Sequence, residues 1–384
     1  MSAALVAVAL TTSWVVLGTA ALAKVTRSEV ARGATLPGVS VLKPLCGADP
    51  SLEHNLETFF EQDHPDYEIL FGVERADDPA VAVVERLLRR YPTRRARLVV
   101  HAPPRGHNPK VKNVRGLLKR ARHDLVLISD SNVRAPQHYL SEAAALYASD
   151  PSIGLVTHLF AGAGEASFGA KLESVQLTGF VASGAALPTV LGDGAVIGKS
   201  MLMSKRELAA LGGLKRVRDV LAEDFVIGKM FEHAKRRVVL APTVVDNVVG
   251  PIGLRTVFDR HLRWSMLRIR LRFLSWVLEP MTCPLFVLPA AIATFGVGRA
   301  LLWLFATYFV RDVLAWAMLR GPSRLWIPMI MGLPRDVLAL AVWGATPWKR
   351  HVSWRGTRLR VGRRTVLRPA LPATRVFSAP ARAA

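Results

Sequence analysis

Short apolar runs alternate with helical patterns between Gly38 and Val249, and this alternation predicts the fold. Unbroken apolar runs are typical of strands that are covered on both faces, whereas apolar residues every three or four positions indicate helices. The predicted strands are Val39–Leu42, Tyr67–Val73, Arg97–His101 and Asp124–Ser129, and the first two helices are Ser51–Gln62 and Pro79–Arg90. This order predicts an α/β fold with a mostly parallel sheet, whose ligands bind beyond the carboxyl ends of the strands.

The first residues follow a different pattern. Ser2–Ala23 is uncharged and mostly apolar, and at about 1.5 Å per residue it is long enough to cross a membrane core of about 30 Å. Lys24, Arg27 and Arg32 follow it, so the positive-inside rule places the amino terminus outside and Lys24 onward in the cytoplasm. The alternative is a cleaved signal peptide ending at Ala23, but no Lys or Arg precedes the apolar run.

Three more apolar runs lie in the last third of the chain. They are Pro280–Val297, Ala300–Leu319 and Leu325–Ala345. Three full spans would place the basic tail outside, whereas its charge favours the inside, so one of the three is expected to be re-entrant or interfacial. Charged pairs at Arg311-Asp312 and Arg335-Asp336 interrupt two of the runs. Because charge is costly in lipid, these pairs are expected to face protein or water, and they could line a lipid entrance.

Arg255–Leu274 alternates Arg with apolar residues at helical spacing, which indicates an amphipathic helix in the headgroup region.

The net charge of the chain also favours a membrane surface as the partner. The 384 residues carry a net charge of +22, and residues 347–384 contain ten Lys and Arg and no Asp or Glu. Basic residues flanking apolar runs are typical of contact with anionic lipid, and no nucleic-acid motif accompanies them. The two cysteines, Cys46 and Cys283, are too few for a disulfide scaffold or a four-cysteine zinc site.

Acidic residues stand where predicted strands end or helices begin. Asp78 follows the second strand, Asp130 and Asn132 follow the fourth, and Glu223-Asp224 opens a later helix. Any one of these carboxylates could be a helix cap. Together with Arg260 and Arg263, they predict a site for a phosphorylated ligand and a hard divalent ion.

Gly198-Lys199-Ser200 looks like the end of a phosphate-binding P-loop. The P-loop pattern requires Gly at position 193, where this chain has Asp193, and Met201-Leu202-Met203 continues as a strand rather than as a helix. A P-loop is therefore disfavoured, although a membrane-tethered ATPase or kinase stays open as a distant alternative.

Ordered blocks of sequence resemble the ceramide glucosyltransferase family, which consists of processive-type inverting glycosyltransferases with an Asp, Asp, Asp, (Q/R)xxRW signature. The matching blocks are Asp77–Ala80, Asn108–Asn113, Ile128–Ser131, Ala222–Phe225 and Arg260–Trp264. The resemblance covers about residues 36 to 275. It implies the Rossmann-like A-type glycosyltransferase fold, with an N-terminal transmembrane helix and C-terminal membrane helices.

The resemblance also implies roles for individual residues. Asp224 would be the general base, with Glu223 as the second candidate. Asp130 would bind a divalent cation, Mg or Mn, with weak help from Asn132, which stands where the family pattern has a second Asp. The residues implied to bind the nucleotide sugar are Pro44, Asp78, Lys110, Asp130, Arg260, Arg263 and Trp264.

The implied activity is transfer of a hexose, with UDP-glucose as the first choice of donor, to a lipid hydroxyl such as that of ceramide. The alternative within the same class is transfer from UDP-N-acetylglucosamine to a hopanoid lipid, as in bacterial hopanoid-biosynthesis glycosyltransferases. The expected partners are the UDP-sugar, the lipid acceptor and membrane lipids, and nucleic acid is not expected to bind. We expect a multi-pass protein of a bacterial inner membrane with its catalytic domain in the cytoplasm.

The expected domain boundaries follow from these patterns. Residues 1–23 form the first transmembrane helix and residues 24–250 the cytoplasmic glycosyltransferase domain. Residues 251–278 form the interfacial helix, residues 279–346 the transmembrane or re-entrant helices, and residues 347–384 the basic tail.

Overall fold

A computed structural model describes residues 2–30, 36–49, 51–102, 104–354 and 357–370. Arg32, which supports the predicted orientation of the first helix, and residues 371–384 of the basic tail lie outside the described residues.

A sheet of eight strands organises the described chain, in the order β3-β2-β1-β4-β7-β6-β8-β5. Its strands are β1 (Val39–Pro44), β2 (Tyr67–Val73), β3 (Ala96–Val100), β4 (Leu125–Ser129), β5 (Val133–Arg134), β6 (Ile153–Ala163), β7 (Ser200–Ser204) and β8 (Arg237–Val248). Strands β3, β2, β1 and β4 are parallel neighbours, and β7 runs antiparallel between β4 and β6. The predicted mostly parallel sheet is confirmed, and its four predicted strands end within two residues of the observed positions.

Fifteen α-helices occupy the described residues, together with shorter 3₁₀ and π-helical turns. They are α1 (Ala3–Thr26), α2 (Leu52–Glu57), α3 (Ala80–Arg90), α4 (Pro109–Leu118), α5 (Tyr139–Ser149), α6 (Phe168–Val175), α7 (Ala182–Val190), α8 (Lys205–Ala210), α9 (Glu223–His233), α10 (Leu254–Leu271), α11 (Phe273–Leu278), α12 (Pro284–Phe295), α13 (Val297–Tyr308), α14 (Ala315–Arg320) and α15 (Trp326–Ala345). A separate antiparallel sheet, in the order β11-β10-β9, consists of β9 (His351–Trp354), β10 (Thr357–Val361) and β11 (Leu367–Pro369).

Two predicted helices end earlier than expected. The helix predicted to reach Gln62 ends at Glu57, because the next residues turn more tightly: Phe59 and Phe60 donate backbone hydrogen bonds three residues back. The amphipathic helix predicted to reach Leu274 breaks at Arg272, whose φ of −142° and ψ of 65° leave the helical region. The Arg272 side chain pairs with Asp193 at 2.7 Å.

The sheet is buried on both faces. Leu42, Leu70 and Val126 contribute to the apolar core on one face, and Val41, Ile69 and Leu127 contribute to the core on the other. This alternation follows from the period of two along a strand. The second core also includes Leu22 and Val25 of α1, so the end of α1 is part of the α/β domain rather than a tether beside it.

Three helices among the described residues are long and apolar enough to cross a membrane: Ala3–Thr26, Val297–Arg320 and Trp326–Trp348. The pair Phe273–Thr282 and Pro284–Phe295 passes the same test together but is bent by 57°, which marks a broken span or a re-entrant loop. The apolar helices expected in the N-terminal and C-terminal parts of the chain are therefore confirmed.

Hydrogen bonds join α1 to the later apolar helices. Thr11 Oγ1 donates to the Met281 carbonyl at 2.6 Å, and Thr19 Oγ1 donates to the Val310 carbonyl at 3.2 Å. Trp303 Nε1 donates to Thr12 Oγ1 at 2.9 Å. These bonds attach α1 to the later apolar helices along its length.

The charged pairs of the apolar helices bind one another in the interior. Asp312 and Asp336 are at most 1% exposed, and Arg311 and Arg335 are 2% exposed. Arg311 pairs with Asp312 at 2.7 Å and with Asp336 at 2.9 Å, and Arg335 also pairs with Asp336. The charges are thus satisfied within protein, as the cost of placing them in lipid requires.

We expect Asp336→Ala to lower the free energy of unfolding by about 3 to 5 kcal/mol, because it leaves two buried guanidinium groups without a shared counter-charge. Thermal unfolding in detergent measures this change. Asp259→Ala is the matched control, since Asp259 is 52% exposed and its pair with Lys349 spans 3.4 Å; its loss should stay below about 1 kcal/mol. Equal stability of the two variants would contradict a structural role for the buried cluster.

Candidate active site

One cavity of about 1170 Å³ lies beyond the carboxyl ends of β1 and β4. Antiparallel pairing of β7 with β4 brings the start of β7 to the same edge of the sheet. Among the residues implied by the sequence, the cavity is lined by Pro44, Lys110, Asp130, Asn132, Glu223, Asp224, Arg260, Arg263 and Trp264. Residues separated by more than two hundred positions therefore meet in one cavity.

Asp78 lies apart from this lining. Its Oδ1 accepts hydrogen bonds of 2.9 Å from the backbone N–H groups of Gly47 and Ala80. Asp78 thus caps the start of α3 and anchors the loop that follows β1, which is the structural role that any one of these carboxylates could have. Asp49, on that loop, lines the cavity instead.

Asp130 stands between two ammonium groups. Lys110 Nζ lies 2.8 Å from Asp130 Oδ1, and Lys199 Nζ lies 3.2 Å from Asp130 Oδ2. Burial alone would raise the pKa of Asp130, but the two lysines outweigh it and hold this pKa well below its ordinary value. Asp130 is therefore ionised at neutral pH.

Lys110 bridges both acidic sides of the site. It stands on the first turn of α4, where Asn108 caps the helix by accepting a 3.0 Å hydrogen bond from the N–H of Val111. Its Nζ donates to the Gly198 carbonyl at 2.7 Å and lies 3.4 Å from Glu223 Oε1. Burial disfavours its charge, but Asp130 and Glu223 prevail and raise its pKa.

Glu223 and Asp224 open α9 and face the cavity differently. Glu223 is buried, with Oε2 accepting from Asn108 Nδ2 at 3.1 Å. Asp224 is half-buried, and its oxygens accept from the backbone N–H groups of Gly198 at 3.0 Å and Phe225 at 2.8 Å. Burial raises the pKa of both carboxylates, and this effect outweighs the nearby positive charge of Lys110, which lowers them. The pKa of Glu223 reaches about 7. A carboxylate with a raised pKa in a cavity is a candidate proton acceptor.

The two arginines of the RxxRW block differ in their partners. Arg260 Nη1 lies 2.9 Å from Glu173 Oε1, and this fully buried carboxylate also binds His261 Nε2 at 2.8 Å. The Arg263 side chain lines the cavity, but it forms no hydrogen bond or ion pair with another side chain in the described part of the chain. Burial and the neighbouring Arg260 lower its pKa. Trp264 meets the His261 ring edge-on at 5.1 Å.

The C-terminal sheet holds the segment that leads into α9. Leu221 N donates to the Thr365 carbonyl at 3.0 Å, and Leu367 N donates to the Asp219 carbonyl at 2.7 Å. Thr365 is fully buried with a φ of +60°, a backbone conformation that is costly for a β-branched residue. Val352, Leu359 and Leu367 pack with Leu221 and Met266, so this sheet joins α9 to α10.

The opposite end of the cavity is apolar. Leu10 and Trp14 of α1 line it, as do Phe180 and Val181 before α7 and Met281 before α12. The expectation that Arg311-Asp312 and Arg335-Asp336 line a lipid entrance is wrong, because these side chains are buried and bind one another instead of lining the cavity.

Three site residues escaped the sequence analysis. Lys199 belongs to the segment that resembles a P-loop, and the sequence disfavours a P-loop there. In the structure Ser200 begins strand β7 rather than a helix, so this described segment does not have P-loop geometry. The Lys199 side chain nevertheless binds Asp130. Lys43 Nζ donates to the Asp130 carbonyl at 2.6 Å from beneath the site, and Glu173 holds Arg260. The sequence signal for Lys43 is a lone charge within the apolar strand β1, which predicts a buried partner. Glu173 gives no such signal, because Lys171 stands on the same helix.

The sequence of this chain is similar to those of known proteins. The sequence profile of glycosyl transferase family 21 matches residues 2–367. Ceramide glucosyltransferase 1 of Caenorhabditis elegans is 32% identical over 250 residues, which are 64% of this chain and 53% of that protein. Ceramide glucosyltransferase 3 of the same organism is 29% identical over 266 residues, which are 66% and 55% of the two chains. The chain thus spans about half the length of these relatives.

A solved structure supports the fold. The mannosyltransferase from Pyrobaculum calidifontis in complex with GDP-Man and Mn²⁺ superposes with a TM-score of 0.51 at 17% identity, covering 90% of this chain and 99% of that one. The predicted A-type glycosyltransferase fold is confirmed. With a family profile that spans nearly the whole sequence, the chain belongs to glycosyl transferase family 21 and is ceramide glucosyltransferase-like.

Proposed function

We propose that this protein transfers a hexose from a nucleotide sugar to a lipid hydroxyl at the membrane surface. One observation supports the proposal above all: a single cavity joins the carboxylates and cations at the sheet edge to the apolar side chains of α1. A charged donor fits the first end, and a lipid fits the second. The two relatives are named ceramide glucosyltransferases, so UDP-glucose and ceramide are the first substrates to test.

The donor diphosphate binds the cationic side of the site in this proposal. Lys110 and Lys199 flank Asp130, and Arg263 faces the same cavity without a partner among the described residues. Guanidinium and ammonium groups are the usual ligands of phosphate oxygens. Pro44, at the end of β1, and Asp49 lie on the side of the cavity assigned to the nucleoside.

Asp224 is the proposed base, because it is more accessible than Glu223. Backbone N–H groups orient its carboxylate, whereas the carboxylate of Glu223 is bound by Lys110 and Asn108. The acceptor hydroxyl gives its proton to Asp224 and attacks the anomeric carbon. The bond from that carbon to the diphosphate breaks on the opposite side, which inverts the configuration.

A divalent cation, Mg or Mn, is expected at Asp130 and Asn132 from the family resemblance, and the Pyrobaculum structure contains Mn²⁺. The donor set of this chain does not fit such an ion. Both Asp130 oxygens and the Asn132 amide oxygen already bind lysine ammonium groups. The described residues contain no cluster of three or more His, Cys, Asp or Glu side chains suited to a metal. No step of the proposed reaction therefore runs through a metal.

The proposed membrane arrangement keeps residues 24–250 and the C-terminal sheet on one side, in the cytoplasm, with α10 in the interface. Helix α12 leads away from the α/β domain, and α13 with α14 returns to it, since Ala315 and Leu319 join its core. The start of α15 contacts the α/β domain, where Lys171 lies over the Trp326 ring, and Thr346, just after α15, donates to Ser265 of the interfacial helix α10 at 2.8 Å. We assign α15 as the interfacial helix among the three C-terminal apolar runs.

Membranes containing the full chain should convert a labelled UDP-sugar into a glycolipid. We expect transfer from UDP-glucose to added ceramide, with the product identified by mass spectrometry, and no product from Asp224→Asn membranes. If transfer occurs only from UDP-N-acetylglucosamine to a hopanoid lipid, the proposed substrates are wrong, but the proposed reaction, transfer of a hexose to a lipid hydroxyl, holds. Hydrolysis of ATP without any glycolipid product would contradict the proposal.

Asp224→Asn should lower kcat by about 10²- to 10⁴-fold, because an amide cannot act as a base. The amide oxygen can still accept one of the two backbone hydrogen bonds that the carboxylate accepts from Gly198 and Phe225. The KM for the nucleotide sugar should change little. Steady-state kinetics in detergent micelles measure both values. Glu232→Gln on the same helix is the control and should keep kcat; an active Asp224→Asn variant would transfer the role of base to Glu223.

The pH profile should report the raised pKa values of the carboxylate pair. Transfer requires an ionised base, so activity is retained above these pKa values and lost as the pH falls through them. Asp224 and Glu223 are adjacent carboxylates that titrate as a pair, so the ratio kcat/KM, measured between about pH 5 and about pH 9, should decline as the pH falls through about 7, where the pair takes up a proton. Glu223→Gln should move this decline to lower pH, and an unchanged profile down to about pH 5 in the wild type would exclude a raised pKa.

A further inference from the structure

Lys199 lies where a bound cation would be expected. Its Nζ is 2.8 Å from Asn132 Oδ1 and 3.2 Å from Asp130 Oδ2, so it joins the first and third residues of the Asp130-Ser131-Asn132 segment. A carboxylate and an amide oxygen are the ligands that a hard divalent ion would use. A lysine ammonium is a compact point charge that binds the same oxygens without a metal.

The fold builds this contact from both sides. Ser200 pairs with Ser129 in the β7–β4 register, and the backbone N–H of Asp130 donates to the Lys199 carbonyl at 3.3 Å. On the other side, Asn132 Nδ2 donates to Asn247 Oδ1 at 2.8 Å, which turns the Asn132 carbonyl oxygen toward Lys199. Lys199 is therefore held in place, with its side chain 21% exposed to the cavity.

The charged groups around this contact carry a net positive charge that a bound anion would balance. Lys110 and Lys199 share the single carboxylate of Asp130, and Arg263 lies on the same cavity without a partner among the described side chains. The two ammonium groups therefore repel one another across Asp130. Added negative charge would relieve this repulsion, as the two phosphates of a nucleotide sugar would do.

We propose that Lys199 is the built-in cation of the donor site, and that it replaces a divalent metal in binding the diphosphate. The inference rests on the proposed function. During transfer, the new bond joins the acceptor oxygen to the anomeric carbon, the acceptor proton passes to Asp224, and the departing diphosphate carries the electron pair of the broken bond. Lys199 and Lys110 balance the charge that accumulates on that diphosphate, so neither donor binding nor transfer requires an added metal ion.

Calorimetric titration of UDP into the full chain in detergent tests this inference independently of turnover. The wild type should bind UDP in EDTA with an affinity within about twofold of that in Mn²⁺. Lys199→Met should lose about 10- to 100-fold of the affinity in EDTA, because a charge-assisted contact is removed. Mn²⁺ should restore part of it, since Asp130 and Asn132 then have free oxygens.

Two further variants serve as controls. Lys199→Arg retains the positive charge and should keep metal-free binding. Lys205→Met lies just beyond the other end of β7, where the lysine donates to the Ala121 carbonyl at 2.6 Å, and it should leave UDP affinity unchanged. Electron paramagnetic resonance of Mn²⁺ provides a second measurement: the wild type with UDP should leave the free Mn²⁺ signal intact, whereas Lys199→Met with UDP should diminish it.

Loss of UDP binding by the wild type in EDTA would overturn the inference, and so would full metal-free affinity in Lys199→Met. Should Lys199→Met fail to fold, the wild-type comparison of EDTA with Mn²⁺ still decides. Absence of UDP binding under both conditions, with a folded protein, would instead overturn the proposed function itself.

Discussion

The charge balance around Asp130 is the constraint on which the rest of the site depends. A single ionised carboxylate at the end of β4 holds Lys110 at 2.8 Å and Lys199 at 3.2 Å. Without it, two ammonium groups would lie in a half-buried cavity with no shared counter-charge, which is costly in a low-dielectric environment. Lys110 then reaches Glu223 at 3.4 Å, so the positions of the cations and of the carboxylate pair on α9 are set together.

This arrangement requires an antiparallel strand inside a mostly parallel sheet. Parallel strands place their carboxyl ends at one edge, which accounts for Pro44 and Asp130. Because β7 runs in the opposite direction, it starts at that edge and contributes Lys199 there. The Gly198 carbonyl and N–H, just before β7, also bind Lys110 and Asp224. One change of strand direction thus joins the cationic half of the site to the proposed base.

The hydrophobic periodicity of the sequence predicted several strands and helices, but it did not predict which side chains contact one another. Strands β1 to β4 could be predicted because burial on both faces leaves unbroken apolar runs, and the helices after β1 and β2 could be predicted from their apolar spacing. The convergence of Asp130, Asp224 and Arg263 followed from strand ends and from the resemblance to a family. Lys199 could not be recognised, because its contact depends on the β4–β7 register rather than on local sequence. The cap formed by Asp78 and the break at Arg272 likewise depend on Gly47 and Asp193, which are distant in sequence.

The C-terminal sheet explains why the site and the membrane helices form one unit. After α15 the chain returns to pack Val352 and Leu359 against Leu221 and Met266. The Thr365 carbonyl then binds the backbone N–H of Leu221, two residues before Glu223. Thr365 itself has a positive φ that is tolerated only because its surroundings enforce it. The same sheet contacts α10, which carries Arg263. The C-terminal sheet therefore links the position of the proposed base on α9 to that of the arginine on α10.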